Sequence, residues 1–160
     1  MKSFKTYPVV ILLILIAFTS AGQSAQNSNN LQNRIRQLNI EENVLLFPFQ
    51  KNPFTYFKQA MFFVLSSRFE GFPRVIIEAL ACGTPVIAFD CDFGPREIIK
   101  TGYNGILVEN QDFEALGEGI LKMQNDREFY NICKSNAAKS VADYDLPNVG
   151  RLWHSYLTER

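Results

Sequence analysis

Short apolar runs alternate with amphipathic stretches along most of this chain. Val44-Leu45-Leu46-Phe47, Met61-Phe62-Phe63-Val64-Leu65, Pro85-Val86-Ile87-Ala88-Phe89 and Ile106-Leu107-Val108 are rich in β-branched, aromatic or aliphatic residues and bounded by loop formers. Strands covered on both faces read in this way. Between them, Leu31, Ile35 and Leu38 recur at helical spacing and predict a short helix. Pro53 opens a second, carrying Phe54, Phe57 and Ala60, and Arg74–Ala81 forms a third that Gly83 stops. Arg68–Pro73 is expected to be a loop, Gly94–Ile99 a short helix and Gly102-Tyr103-Asn104-Gly105 a turn. Three more helices are expected over Phe113–Asn125, Glu128–Val141 and Val149–Thr158. Repeated strand-helix units imply an α/β domain whose parallel sheet is flanked by helices through right-handed crossovers.

The amino terminus supports two readings. Lys2 and Lys5 precede the apolar run Val9–Phe18, and the small residues Thr19, Ser20, Ala21 and Gly22 follow it. That order is the order of a signal peptide, cleaved near residue 21. The β-branched first half of the run also suits a buried parallel strand, the reading preferred here because it continues the pattern downstream. The run falls short of the roughly 20 residues a spanning helix needs, so no integral membrane span is expected. Gln23–Asn30, rich in Gln, Ser and Asn, reads as a loop. The expected organisation is therefore a segment over residues 1–28 followed by one domain over 29–160.

Composition narrows the function classes. At 160 residues, 47% hydrophobic and 20% charged, the chain has the profile of one globular domain. Sixteen basic residues balance sixteen acidic ones, leaving no net field to attract nucleic acid, so an anionic ligand must be held locally. Cys82, Cys91 and Cys133 are odd in number and contain no CxxC pair, which suggests neither a disulfide framework nor zinc, and fits a reducing, cytoplasmic setting. His154 stands alone in the sequence, without local support for a nucleophile-histidine arrangement.

The chemistry concentrates between Ser66 and Ile87, laid out as strand, loop, helix, strand. Ligands in parallel sheets bind beyond the carboxyl ends of the strands, where the loop Ser66–Pro73 falls. Gly71 lets a ligand approach the backbone, Pro73 sits near the first helical position, and amides around Phe72–Ile76 face outward at the positive helix end. This is a plausible cradle for a diphosphate. Glu78 lies on a helix otherwise apolar on nearly every side, where a carboxylate needs hydrogen-bond donors such as paired sugar hydroxyls. Glu70 precedes the same helix and can accept hydroxyls of a second sugar or stabilise positive charge. Taken singly, a loop or helix glutamate is usually a solvated charge or a cap. Asp90 and Asp92 are turn formers before they are cation ligands, and Glu97 complements a helix dipole, so no metal is expected.

The string from Glu70-Gly71-Phe72-Pro73 through Glu78-Ala79-Leu80-Ala81-Cys82-Gly83-Thr84-Pro85-Val86-Ile87 resembles the glutamate-x7-glutamate signature of group 1 (family 4) retaining glycosyltransferases. Gly94-Pro95-Arg96-Glu97-Ile98-Ile99 and Gly102–Val108 continue that pattern, so the resemblance extends over about Leu31 to Glu159. It implies a Rossmann-like domain, the second of a two-domain GT-B enzyme, holding a UDP- or GDP-linked sugar. It gives Glu78 the nucleotide ribose and Glu70 the transferred sugar or its departing charge. Gly71, Phe72, Pro73, Arg74 and Val75 would contact sugar or diphosphate, without a metal or other cofactor. Phe47, Pro48 and Phe49 fall where the family contacts the base through its backbone. Phe49 is therefore a donor-binding candidate, although core packing is the ordinary explanation for such aromatics. Complete relatives carry an acceptor-binding first domain and a basic strand-loop that clamps the diphosphate, and neither has a counterpart here. The turn after Val9–Ile16 holds Phe18-Thr19-Ser20-Ala21-Gly22 in place of a glycine-rich string. The resemblance thus implies donor binding with transfer dependent on a missing half, or else a noncatalytic module. It also implies an apolar surface open to self-association, and a cytoplasmic protein that could lie peripherally at the inner membrane face.

Overall fold

In the computed structural model, residues 21–47 and 50–158 are described. Strands β1 (Phe63–Leu65), β2 (Val86–Asp90) and β3 (Gly105–Glu109) form a parallel sheet in that order. Phe63 registers with Val86 and Val86 with Gly105, and the second ladder runs on to Asp90 opposite Glu109. The helices are α1 (Ala21–Gln37), α2 (Phe54–Phe57), α3 (Arg74–Ala81), α4 (Pro95–Ile98), α5 (Phe113–Asn125), α6 (Arg127–Ala137) and α7 (Leu146–Thr158), with a 3-10 segment over Lys139–Tyr144.

Side-chain alternation along the strands divides the core. Phe63, Val86 and Ala88 point to one face, where they meet Ile76, Ala79 and Leu80 of α3 and Phe57 of α2. Phe62, Val64, Ile87 and Phe89 point to the other, against Leu116 and Met123 of α5 and Cys133 of α6. Because both faces are covered, both parities of each strand are apolar, which is why the strands read as continuous runs. The result is the expected Rossmann-like arrangement of a parallel sheet between helices.

The element ends follow local chemistry. Cys82 caps α3 and Gly83 leaves it at φ +79, as the sequence predicts. Asp112 and Asp126 accept from the amides of Ala115 and Phe129, starting α5 and α6 with side-chain caps. Thr84 donates to the Phe57 carbonyl at 2.6 Å and ties α2 to the approach of β2. Asn104, fully buried, donates to the Ile98 carbonyl and Ser140 Oγ at 2.9 Å each and accepts from the Lys100 amide at 2.8 Å. The predicted turn covers Gly102–Asn104 while Gly105 already opens β3, and the asparagine is also a polar knot joining α4, β3 and the 3-10 segment.

Three expectations are corrected. Gln23–Asn30 is not a loop, since α1 runs through it from Ala21. The segment contains neither Pro nor Gly beyond Gly22, so nothing in the backbone prevents the helix anchored by buried Ile35 from extending back. Val44–Phe47 joins no ladder among the described strands, and Leu45, Leu46 and Phe47 are exposed. The apolar run is real, but among the described residues no strand pairs with its backbone, and Phe47 packs edge-on against Tyr56 at 5.1 Å. The Glu128–Val141 helix ends earlier, at Ala137, and gives way to the 3-10 segment. The strand expected at Val9–Ile16 lies outside the described residues. Among the described residues no helix is long and apolar enough to cross a membrane.

Candidate functional site

Three connections converge at the carboxyl edge of the sheet: the loop from β1 to α3, the turn from β2 to α4, and the residues after β3. The first carries most of the expected site. Glu70 is half-buried, Gly71 and Phe72 are exposed, and Pro73 is buried at the N-cap of α3 with φ −77. Arg74 follows with a largely exposed side chain, and Val75 is half-buried.

The turn after β2 fixes this loop from below. Gly94 has φ +92, and a β-carbon built on it would lie 2.3 Å from Pro73 Cδ and 3.0 Å from the Gly71 carbonyl oxygen. Glycine meets both demands, a left-handed backbone and a close approach. Cys91, three residues earlier, is buried. Burial pushes its thiol up; backbone hydrogen bonding at Cys91 and Glu70 opposes the rise, and the nearby Glu70 and Asp90 carboxylates add to it. The thiol thus stays protonated beside the Glu70 loop and packs as a small apolar group.

Glu78 departs from the sequence expectation in degree. Only one face of α3 is closed, by Ile76, Ala79 and Leu80, whereas Val75, Ile77 and Glu78 are half-buried and Ala81 is exposed. The Glu78 side chain retains 29% exposure and lies 3.8 Å from Arg74, one turn back. It is neither sealed in the core nor on a fully solvated face, because it flanks the buried stripe of Ile76, Ala79 and Leu80. Arg74 stands four residues after Glu70 and four before Glu78, between the two carboxylates in sequence. Two of the amides expected to face a ligand have local partners: Arg74 donates to the Phe72 carbonyl and Ile76 to the Pro73 carbonyl, both at 2.9 Å. The cradle is therefore narrower than the sequence implies. Phe49 lies outside the described residues.

Several residues here escape sequence reasoning. Phe72 packs on Tyr144 of the 3-10 segment, with ring centroids 6.0 Å apart. Asp90 accepts from Arg96 Nε at 2.8 Å, so its carboxylate is engaged by a cation of the protein itself. Asn110 reaches across to the Arg68 carbonyl at 3.2 Å. No sequence signal announces these contacts, two of which join residues far apart along the chain. Among the described residues there is no group of three or more His, Cys, Asp or Glu side chains that could hold a metal. A depression of about 470 Å³ lined by Asn52, Phe54, Thr55, Lys58, Ala81 and Cys82 lies at the far end of α3 and includes none of the candidate residues.

Comparison with known proteins matches residues 9–140 to the family model described as glycosyl transferases group 1. The chain is 40% identical over 80% of its length to an uncharacterised glycosyltransferase of Methanocaldococcus jannaschii, covering 30% of that protein. It is 35% identical over 77% of its length to N-acetylgalactosamine-N,N'-diacetylbacillosaminyl-diphospho-undecaprenol 4-alpha-N-acetylgalactosaminyltransferase of Campylobacter jejuni, covering 34%. Among solved structures, Staphylococcus aureus TarM in complex with fondaparinux, alpha-GlcNAc-glycerol and UDP superposes with TM-score 0.74 at 26% identity, over 81% of this chain and 27% of TarM. Anabaena HepE in complex with UDP-glucose superposes with TM-score 0.76 at 25% identity, over 85% of this chain and 38% of HepE. The chain thus spans about a third of the length of the curated relatives named here.

Proposed function

The chain belongs to the group 1 glycosyltransferases, and from that membership we propose that it is the nucleotide-sugar-binding part of a retaining glycosyltransferase. The donor lies at the carboxyl edge of the sheet. Its diphosphate meets the amino-terminal end of α3 and Arg74, its ribose hydroxyls meet Glu78, and its sugar faces Glu70 and the Gly71–Val75 stretch. The observation that carries this reading is the state of Glu78. On a helix whose other face is closed by the core, it stays half-open, with a long 3.8 Å ion pair to Arg74 that leaves its oxygens available to hydroxyls. Phe49 remains a proposed base contact. UDP is the first nucleotide to test, since the TarM and HepE structures named above hold UDP or UDP-glucose, and GDP is the second.

Transfer breaks the bond between the anomeric carbon and the diphosphate oxygen, the electron pair leaving with the diphosphate. An acceptor hydroxyl then bonds to the same carbon on the same face, its proton passing to the departing diphosphate oxygen. Positive charge develops on the sugar as the bond breaks, and the Glu70 carboxylate stabilises it. The positive end of α3 and the Arg74 guanidinium take the departing negative charge. No metal or other cofactor is proposed. The acceptor and the exclusion of water belong to a second half, so this chain alone binds donor without rapid transfer.

Titration calorimetry with UDP, UDP-glucose and GDP tests the site. Replacing Glu78 by Ala should weaken nucleotide binding by about tenfold or more, the scale of losing hydrogen bonds to a charged group. Its thermal midpoint should barely move, because a long i,i+4 ion pair whose arginine is largely exposed contributes at most about 0.5 kcal/mol. Unchanged affinity in Glu78→Ala rejects the ribose assignment. Binding without transfer of labelled sugar, even with an acceptor-binding half supplied, favours the alternative of a noncatalytic nucleotide-sugar module.

Leu152, Trp153, Tyr156 and Leu157 of α7 form an exposed apolar flank that supports self-association, to be read as a concentration-dependent mass in sedimentation equilibrium. We place the protein in the cytoplasm, peripherally at the inner membrane face. Cleavage near residue 21 would make it secreted instead, which amino-terminal sequencing decides.

A further inference from the structure

Asn110 follows β3 immediately, at the edge of the sheet that carries the Glu70 loop. Its Nδ2 donates to the Arg68 carbonyl at 3.2 Å, joining residues 42 apart in sequence. Since β1 and β3 flank β2, this bond reaches past the end of the central strand. Asn110 Oδ1 is closed off from solvent and has no hydrogen-bond partner among the described residues. Gln111, next along the chain, holds φ at +65, in the left-handed region that disfavours residues other than glycine. An amide selected for stability alone would satisfy both of its ends. Here one end is desolvated without a partner and the adjoining backbone is strained, a combination that proteins retain where function requires the geometry.

The geometry of the loop supplies that requirement. Glu70 lies two residues after Arg68, whose carbonyl Asn110 holds, and directly before Gly71, whose carbonyl lies against Gly94. The carboxylate is thus bracketed by two fixed points. Between Arg68 and Gly71 the loop exposes Phe69, so burial supplies little additional restraint.

We propose that Asn110 is a positioning residue: by gripping the Arg68 carbonyl it fixes Glu70 against the sugar of the donor without touching the donor itself. The inference rests on the nucleotide-sugar reading above and adds a determinant of how that site separates a nucleotide sugar from the bare nucleotide. Asn110→Leu preserves approximate shape and removes both the donor and the unpaired oxygen. Asn110→Asp preserves shape but sets an acceptor oxygen and a negative charge against the Arg68 carbonyl, so the grip is lost, and it carries the same exchange and ratio readouts should the leucine variant fail to fold.

The test measures three quantities on the 160-residue chain: the thermal midpoint, amide hydrogen exchange at Phe69, Glu70 and Gly71, and the ratio of dissociation constants for UDP-glucose and UDP. In Asn110→Leu the midpoint should hold or rise, exchange at those amides should quicken, and the ratio should increase about tenfold, as expected when a hydrogen bond to a charged group is lost. The increase should disappear in a Glu70→Gln background, because two residues acting through one contact are not additive. An unchanged ratio, or parallel weakening of UDP and UDP-glucose, overturns the assignment. Wild-type chain that binds neither UDP- nor GDP-linked ligands overturns the nucleotide-sugar reading and this inference together, whereas wild-type binding with an unaltered variant ratio sinks the inference alone.

Discussion

Gly94 and Pro73 touch so closely that no side chain fits between them: a β-carbon at position 94 would stand 2.3 Å from Pro73 Cδ and 3.2 Å from Cγ. The contact locks the turn after β2 to the N-cap of α3, and through the Gly71 carbonyl to the residue following Glu70. Gly94→Ala must displace the proline ring and adopt φ +92 at once. Strain of this kind costs about 1–3 kcal/mol. The variant should also lose nucleotide-sugar affinity by about tenfold or more, since small displacements at a positioned site are expensive. Gly117 of α5 provides the contrast, because a β-carbon there meets nothing within 4 Å. Gly117→Ala should raise stability by about 0.5–1 kcal/mol by improving helix propensity. Thermal unfolding of both variants, with UDP-glucose titration of the first, checks the pair. A stable, fully binding Gly94→Ala chain would dissolve the lock.

Asn104 carries a second prediction. Its amide satisfies two acceptors and one donor in a site closed to water. Asn104→Ala leaves the Ile98 carbonyl and the Lys100 amide without this partner, at about 1–3 kcal/mol for the buried carbonyl and less for the amide, which lies at a part-buried position. Ser140 Oγ keeps its own bond to the Ala137 carbonyl at 2.7 Å, so it suffers less. The urea midpoint should fall clearly, and the denaturant slope should stay near that of wild type. A midpoint shifted by no more than that of a surface substitution would show that the knot does not hold α4 to β3.

The contrast between these residues shows what could be read in advance. The strands β1 to β3 and helices α3 and α5 were legible because burial on both faces of a parallel sheet demands unbroken apolar runs, and turn residues such as Gly83 punctuate them. Glu70 and Glu78 were singled out by type, position and family resemblance together. What could not be read depended on partners distant in sequence. Val44–Phe47 has the composition of a strand, yet a strand requires a neighbour, and none pairs with it among the described residues. Gln23–Asn30 lacks apolar periodicity and still continues α1, because helical backbone propagates once nucleated and no proline interrupts it. Asn110 looks in sequence like any loop asparagine, and its bond to Arg68 follows only from folding β3 beside β2 and β2 beside β1.

The cysteines give the last prediction. Burial pushes the thiols of Cys82, Cys91 and Cys133 above the ordinary value of 9.0. At Cys133 the Lys122 ammonium and, more weakly, backbone hydrogen bonding at Gly105 oppose the rise without cancelling it. The folded chain therefore keeps protons that the unfolded chain releases above about pH 9. Unfolded thiolates draw the equilibrium toward unfolding, so stability from these groups is full below that pH and declines as pH rises from there toward the folded-state values. The urea midpoint, followed from about pH 8 to about pH 10, should fall less steeply in Cys133→Ala than in wild type, with lysine and tyrosine ionisation common to both. The alanine variant starts lower, because removing the sulfur leaves a small cavity beside Met123 and Ile106, so the comparison rests on slope and not on level. Parallel slopes would mean that Cys133 ionises as readily in the folded chain as in the unfolded one, and that the α6 face of the sheet is wetter than its packing indicates.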